Sequence, residues 1–263
     1  MSILEAIVSG IIQGITEILP VSSSGHLILV HEIFGIEANS LSFDVALHLA
    51  TLIAVLWVLR EEVVDILRIV FSKKLFSSLG IKIVMATIPA GICGFLLSDN
   101  MIIALRSAQV VAISLIFWGI ILYLADVFVR RYSKQRGSLE KISWFQSIVM
   151  GFAQAIALIP GTSRSGITMS AGMFAGLDKV RVAKFSFLLS IPAIFGAGVL
   201  SFFDAFNAGL DIAIAPLLIG CVTALVCGIF SIKFLLRFLQ KGSFLWFAVY
   251  RVVLGVILLV LFV

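Results

Sequence analysis

Gln13-Gly14-Ile15-Thr16-Glu17-Ile18-Leu19-Pro20-Val21-Ser22-Ser23-Ser24-Gly25-His26 decides how this chain is read. It sets a carboxylate, an imidazole and a run of hydroxyls inside sequence that is otherwise apolar. A second stretch, Gln154 followed by Pro160-Gly161-Thr162-Ser163-Arg164-Ser165-Gly166-Ile167-Thr168, repeats the pattern with a guanidinium. Ionisable groups at membrane depth are costly, so each needs a functional or structural reason to be there.

The surroundings of both stretches belong to a membrane protein. Of 263 residues, 61% are hydrophobic and 13% charged, and the mean hydropathy is +1.20. Soluble domains carry about a quarter charged residues, so the chain is an integral membrane protein. The five prolines form no linker, which favours one compact unit. Cys93, Cys221 and Cys227 lie in apolar runs and read as small core residues, not as a disulfide framework or metal site. The 22 phenylalanines suit helix packing and lipid contact, and no organic cofactor is implied. The net charge of +5 does not point to nucleic acid, because Lys and Arg sit in short loops between apolar segments. The apolar N-terminus lacks a cationic region and carries Glu5, which argues against a cleaved signal peptide.

Stretches long enough to cross, about 17 to 25 residues, occur at 41–60, 78–97, 108–129, 184–203, 212–236 and 243–263. Residues 3–35 and 143–177 are different, being broken near the middle by Pro20 and by Pro160-Gly161. Each half is too short to cross, which predicts re-entrant helix–loop–helix hairpins shielded by protein. Gly10-Ile11-Ile12-Gln13 matches Gly151-Phe152-Ala153-Gln154, Ser24-Gly25 matches Ser165-Gly166, and Phe43-Asp44-Val45-Ala46-Leu47 aligns with Phe185-Ser186-Phe187-Leu188-Leu189. The chain is therefore an internal repeat, about 1–129 and about 143–263, within one membrane domain spanning 1–263. Each unit is a hairpin plus three crossings, an odd number, so the second unit sits upside down. The expected fold is an all-α polytopic membrane protein with an inverted-topology repeat: about six transmembrane helices and two re-entrant hairpins.

Lys and Arg fix the orientation. Arg60, Arg68, Lys73, Lys74, Lys82, Arg130, Arg131, Lys134, Arg136 and Lys141 fall on one side. Lys179, Arg181, Lys184, Lys233, Arg237 and Lys241 join them, against Arg106 alone opposite. The crowded side is cytoplasmic by the positive-inside rule. Both termini and the mouth of the first hairpin then face outward, and the second hairpin enters from the cytoplasm.

Gln13 and Glu17 are four residues apart and share one helix face. An unpaired carboxylate beside Ile18 and Leu19 would be driven to neutralise. Arg164, a bound metal or a protonated His26 would each keep it ionised. The plain alternative is an ion pair that only locks the hairpins together. Ser22, Ser23 and Ser24 precede one short helix, and Gly161, Thr162, Ser163 and Ser165 surround the start of another. Such hydroxyls commonly serve as caps. Two helix starts with hydroxyls and a guanidinium also make an anion cradle, and facing each other they would bracket a diphosphate. His26 is the natural proton-transfer group or phosphoryl acceptor. His31 and His48 carry no comparable company, and Asp44 with His48 reads as a local pair or as entrance lining. Arg251, midway along the last span, must pair inside the bundle, as a brace or as a lipid-phosphate contact.

These motifs resemble those of bacterial undecaprenyl pyrophosphate phosphatases of the BacA/UppP type, over essentially the full length. Gln13 to Glu17 with Pro20 to His26, and Pro160 to Thr168, match the two family motifs; Phe185 to Leu189 and Phe247-Ala248-Val249-Tyr250-Arg251 also look like family stretches. The resemblance implies hydrolysis of C55-isoprenyl diphosphate to the monophosphate carrier lipid in the bacterial plasma membrane, and bacitracin resistance. It implies a site of Glu17, His26, Ser23, Ser163, Arg164 and Thr168. Ser23 or His26 would attack, or His26 would activate a water. It further implies Mg2+ or Ca2+ bridging Glu17 and the diphosphate, although Gln13 stands where many members have Glu. The polyprenyl diphosphate lipid is the expected partner, and a homodimer is compatible with it. A transporter or flippase of polyprenyl phosphate lipids is the rival reading, since broken helices in inverted repeats also suit alternating access. An intramembrane serine protease fits less well, because Arg164 suits an anion better than a peptide.

Overall fold

The computed structural model describes residues 2–23, 25–27, 41–70, 78–97, 105, 107–132, 137–208 and 213–262. Their regular elements are all helical. In chain order these are α1 (Ile3–Thr16), α2 (Leu41–Val58), α3 (Arg60–Val70), α4 (Leu79–Leu96) and α5 (Ala108–Tyr132). A short 3-10 turn at Leu139–Lys141 precedes α6 (Trp144–Ile156), α7 (Arg164–Phe174), α8 (Lys179–Ala208), α9 (Ile214–Phe238) and α10 (Leu245–Phe262).

Five helices, α4, α5, α8, α9 and α10, are long and apolar enough to cross a membrane, and α2 brings the number to six when joined to α3. The spans expected from apolar runs are these six. One difference is α3. The sequence predicts a cationic loop after the first span near Arg60, whereas the chain bends by 81° and continues as a helix. Arg60, Glu61, Glu62, Asp65 and Arg68 alternate with Val63, Ile66 and Ile69 at helical spacing, which suits a helix lying along an interface.

The two hairpins start alike. At α1 the Ser2 hydroxyl accepts the Glu5 N–H at 3.2 Å while Glu5 accepts the Ser2 N–H at 2.8 Å. At α6 Ser143 and Gln146 exchange the same pair of bonds at 3.2 and 2.9 Å. Both are capping boxes, which satisfy backbone donors that a helix start leaves free. Between the described parts of the two units the packing is exchanged: α1 lies against α9 of the second, and α6 lies against α4 of the first. The matching spans α2 and α8 also pack together, as do α5 and α10.

Glycine permits this exchange. A Cβ on Gly10 would fall 2.5 Å from the Gly220 carbonyl oxygen, and one on Gly151 would fall 2.3 Å from that of Ala86. Small residues let helix backbones approach where lipid offers no hydrophobic drive to associate. The large apolar side chains Phe95, Phe230 and Trp246 are exposed on the outside, as lipid contact requires. At the end rich in cations, buried Asp126 of α5 pairs with Lys179 at 2.6 Å and accepts from Ser243 at 2.7 Å and from Arg130. That cluster ties the starts of α8 and α10 to the end of α5, beside the second hairpin.

Candidate active site

Glu17 ends α1 and is 7% exposed. Its Oε1 accepts from Arg164 Nη2 at 2.8 Å. Its Oε2 accepts from the Ser23 hydroxyl at 2.7 Å and from Gln13 Nε2 at 3.3 Å. One carboxylate therefore joins the first hairpin's hydroxyl run to the second hairpin's cation. Among the cations weighed for Glu17 from sequence, Arg164 stands against it and His26 does not. Arg164 is itself held, because its Nη1 donates to the Ser186 carbonyl at 3.1 Å. A buried carboxylate with such partners is kept charged, since ionic hydrogen bonds offset the loss of water.

The turns that present these groups are strained in the same way. Ser22 has φ of 77° and Ser163 has φ of 68°, and they are the non-glycine residues with positive φ among those described. A non-glycine residue held there costs of order 1–3 kcal/mol, and such positions cluster at functional sites. Each serine also caps the backbone three residues along: Ser163 Oγ accepts the Gly166 N–H at 3.2 Å, and Ser22 Oγ accepts the Gly25 N–H at 3.4 Å. Gly161, with φ of 83°, occupies a position where a Cβ would meet the Val111 carbonyl oxygen at 2.5 Å.

Arg251 holds both turns from behind. It is fully buried, and its guanidinium donates to the carbonyls of Pro20 at 3.4 Å, Gly161 at 3.0 Å and Thr162 at 2.8 Å. A fourth bond, from Nε to the Leu115 carbonyl, measures 3.4 Å. Of the two roles open to Arg251 from sequence, the geometry is that of a brace.

The remaining sequence candidates divide. Ser165 donates across to the Leu19 carbonyl of the other hairpin at 3.2 Å. Thr168 donates to the Arg164 carbonyl at 2.7 Å and shares a 2.6 Å contact with the Ser186 hydroxyl. Thr162 is buried with its hydroxyl unpartnered among the described residues. Ser24 and His31 lie outside the described residues. His26 is near the cluster but not on the carboxylate: its Nδ1 lies 2.7 Å from the Ser22 carbonyl and its Nε2 lies 2.5 Å from the Tyr250 hydroxyl.

Three further residues border the site: Ser186 and Tyr250 carry no signal of their own in the sequence, and His48 reads there only as a local partner of Asp44 or as entrance lining. His48 of α2 places Nε2 3.4 Å from Glu17 Oε2, with Nδ1 2.7 Å from the Asp44 carbonyl. Of the two readings of Asp44 and His48, a local pair or entrance lining, the contact seen is local but runs through the Asp44 backbone carbonyl, and the other ring nitrogen is turned to Glu17. Ser186 positions Arg164 and Thr168 together, and Tyr250 meets His26. Each is supplied by a different helix from the residue it meets, so no local spacing announces it. The one available signal was that Ser186 and Tyr250 fall inside stretches already singled out, Phe185 to Leu189 and Phe247 to Arg251.

Residues 6–257 match the family model for bacitracin resistance protein BacA. An undecaprenyl-diphosphatase of Carboxydothermus hydrogenoformans is 41% identical over 264 residues, covering 99% of this chain and 98% of that protein. An undecaprenyl-diphosphatase of Thermodesulfovibrio yellowstonii is 42% identical over 262 residues, covering 99% and 97%. Undecaprenyl-diphosphatase 1 of Pseudoalteromonas translucida is 42% identical over 268 residues, covering 99% and 98%.

Proposed function

The chain belongs to the BacA family of bacitracin resistance proteins, and from that membership we propose that it hydrolyses undecaprenyl diphosphate to the monophosphate carrier lipid and phosphate. This activity serves cell-wall synthesis and accounts for bacitracin resistance. One observation carries the reading into chemistry: Glu17 accepts a hydrogen bond from the Ser23 hydroxyl while ion-paired to Arg164. A hydroxyl on a buried carboxylate is a nucleophile with its base in place. A carrier needs the cradle but has no use for that bond.

In the proposed reaction Ser23 Oγ attacks the terminal phosphorus and Glu17 takes its proton. The bond to the bridging oxygen breaks and the polyprenyl monophosphate leaves. Water then attacks the phosphoserine, its proton passing towards His26, three residues along from Ser23. Arg164 turns from Glu17 to the phosphoryl oxygens, where positioned positive charge lowers the barrier most. The substrate-binding set comprises Gln13, Ser22, Ser24, Gly161, Thr162, Ser163, Ser165 and Thr168. Within it Ser22, Ser163 and Ser165 shape the cradle through their own hydrogen bonds.

The donors fit a hard divalent cation, Mg2+ or Ca2+. Glu17 offers its carboxylate, and the Gln13 amide oxygen lies buried with no partner among the described residues. No cluster of three His, Cys, Asp or Glu is present among them, so Glu17 and Gln13 are the residues that would hold such an ion. It would supply positive charge against the diphosphate. We place the protein in the bacterial plasma membrane, with termini outside and the site opening outward. The Lys and Arg bias supports that orientation.

Phosphate release from undecaprenyl diphosphate by purified protein tests the reading. Wild type releases phosphate, and Ser23→Ala falls on the order of 10³-fold or more. Acid quenching of His26→Ala traps a phosphoserine. Turnover by Ser23→Ala at the wild-type rate would sink the nucleophile assignment. Lipid movement across liposomes without any phosphate release would sink the enzyme.

A further inference from the structure

His26 is held from both sides. A carbonyl oxygen only accepts, so the 2.7 Å contact with Ser22 puts the ring's hydrogen on Nδ1. The remaining lone pair is on Nε2, and the Tyr250 hydroxyl stands on it at 2.5 Å. The two rings lie nearly parallel, 5° apart in plane with centroids 5.6 Å apart. Ser22, which fixes the Nδ1 side, is one of the two serines in the left-handed region. Its turn is anchored through the Pro20 carbonyl by Arg251, the residue next to Tyr250 on α10. A single stretch of the last helix thus sets the shape of the turn and occupies the base that the turn presents.

In this arrangement no water hydrogen reaches Nε2 directly. We infer that the Tyr250 hydroxyl is the proton relay between His26 and the water that hydrolyses the phosphoserine. A phenol hydroxyl can donate and accept at once. As water attacks phosphorus, one O–H bond of that water breaks and its proton passes to the Tyr250 oxygen. The hydrogen Tyr250 already carries passes to His26 Nε2. The Oγ–P bond of Ser23 breaks, and the regenerated hydroxyl regains a proton from Glu17. No charge is left on Tyr250, and His26 is left as imidazolium. Tyr250 is 45% exposed, so its side chain is not sealed inside the bundle. The inference rests on His26 as the proton acceptor of the hydrolytic step.

Tyr250→Phe tests it, because the ring that stacks on His26 is kept and only the hydroxyl is lost. The expected result is a fall in kcat on the order of tenfold to a hundredfold. KM should stay within about twofold, with phosphoserine accumulating on acid quench. In a His26→Ala background the same substitution should have no further effect, since groups acting as a unit are not additive. A merely structural Tyr250 would lower activity equally in both backgrounds, and that outcome overturns the relay. Unchanged kcat in Tyr250→Phe overturns it too. If His26→Ala itself turns over normally, the fault lies with the proton acceptor and not with Tyr250. Phosphate release and the melting temperature, measured on each purified variant, separate a lost relay from a lost fold.

Discussion

The two hairpins share a scaffold and differ in chemistry. Ser2 and Ser143 open them with the same capping box, Gln13 and Gln154 come next on the same faces, Ser22 and Ser163 take the same strained turn, and Gly25 and Gly166 receive the same cap. These pairs recur at one constant interval along the chain. At that interval Glu17 answers to Leu158, Ser23 to Arg164, and His26 to Ile167. The strain and the caps are the part both copies retain, because both must aim a helix start into one shared space. The reactive groups are divided. The first copy holds carboxylate, hydroxyl and imidazole, while the second holds the cation.

That division predicts unequal damage. Arg164→Ala removes the charge that meets the phosphoryl group and leaves Glu17 buried without its partner. Phosphate release should fall on the order of 10³-fold or more. Leu158→Ala, at the position answering to Glu17, should leave turnover within about twofold. Phosphate release measured side by side decides the matter. Comparable losses in the two variants would mean that the hairpins share the chemistry after all.

Much of this plan was legible in the sequence. The apolar runs gave six spans to within a few residues, and proline or glycine followed by hydroxyls marked both breaks, although the return arm expected for the first hairpin lies, past Leu27, outside the described residues. Burial of apolar surface and backbone satisfaction in lipid leave little choice, so composition alone reaches that far. The bend into α3 was not legible, because its charges resemble a loop until their helical spacing is weighed. His48 as a partner of Glu17, and Ser186 and Tyr250 as site residues, were not legible for another reason. Tyr250 meets His26 across the two units, while His48 and Ser186 reach Glu17, Arg164 and Thr168 from another helix of the same unit, and nothing beside them in the chain records those meetings. Asp44, four residues before His48, even suggested a self-contained pair, whereas the ring uses the Asp44 backbone and turns its other nitrogen to Glu17.

The matched amides give a middle-sized test. Gln13 is anchored by its bond to Glu17, whereas both amide atoms of Gln154 are buried without a partner among the described residues. An unsatisfied buried polar group costs about 1–3 kcal/mol. Gln154→Leu should therefore raise stability by up to that amount and leave phosphate release near wild type. Gln13→Leu should lower turnover about tenfold, as the carboxylate loses an orienting donor. Loss of turnover in Gln154→Leu would show a working polar group in the second hairpin and break the division drawn above.

The smallest effect concerns what the hairpins share. Ser22→Gly and Ser163→Gly each relieve a positive φ that costs a serine about 1–3 kcal/mol. Against this stand the lost side-chain cap, a few tenths of a kcal/mol when glycine replaces it, and the greater freedom of glycine in the unfolded chain, about 0.5–1 kcal/mol. The balance runs from about zero to a gain of about 2 kcal/mol in each hairpin, read as an unchanged or raised melting temperature. Turnover should nevertheless fall a few-fold in both, since a relaxed turn no longer fixes Ser23 on one side or Arg164 on the other. Equal shifts in the two variants would mean the strain is a common property of the scaffold. A loss of stability in either would mean that its cap outweighs its strain, and that the two turns, alike in backbone angle, are held for different reasons.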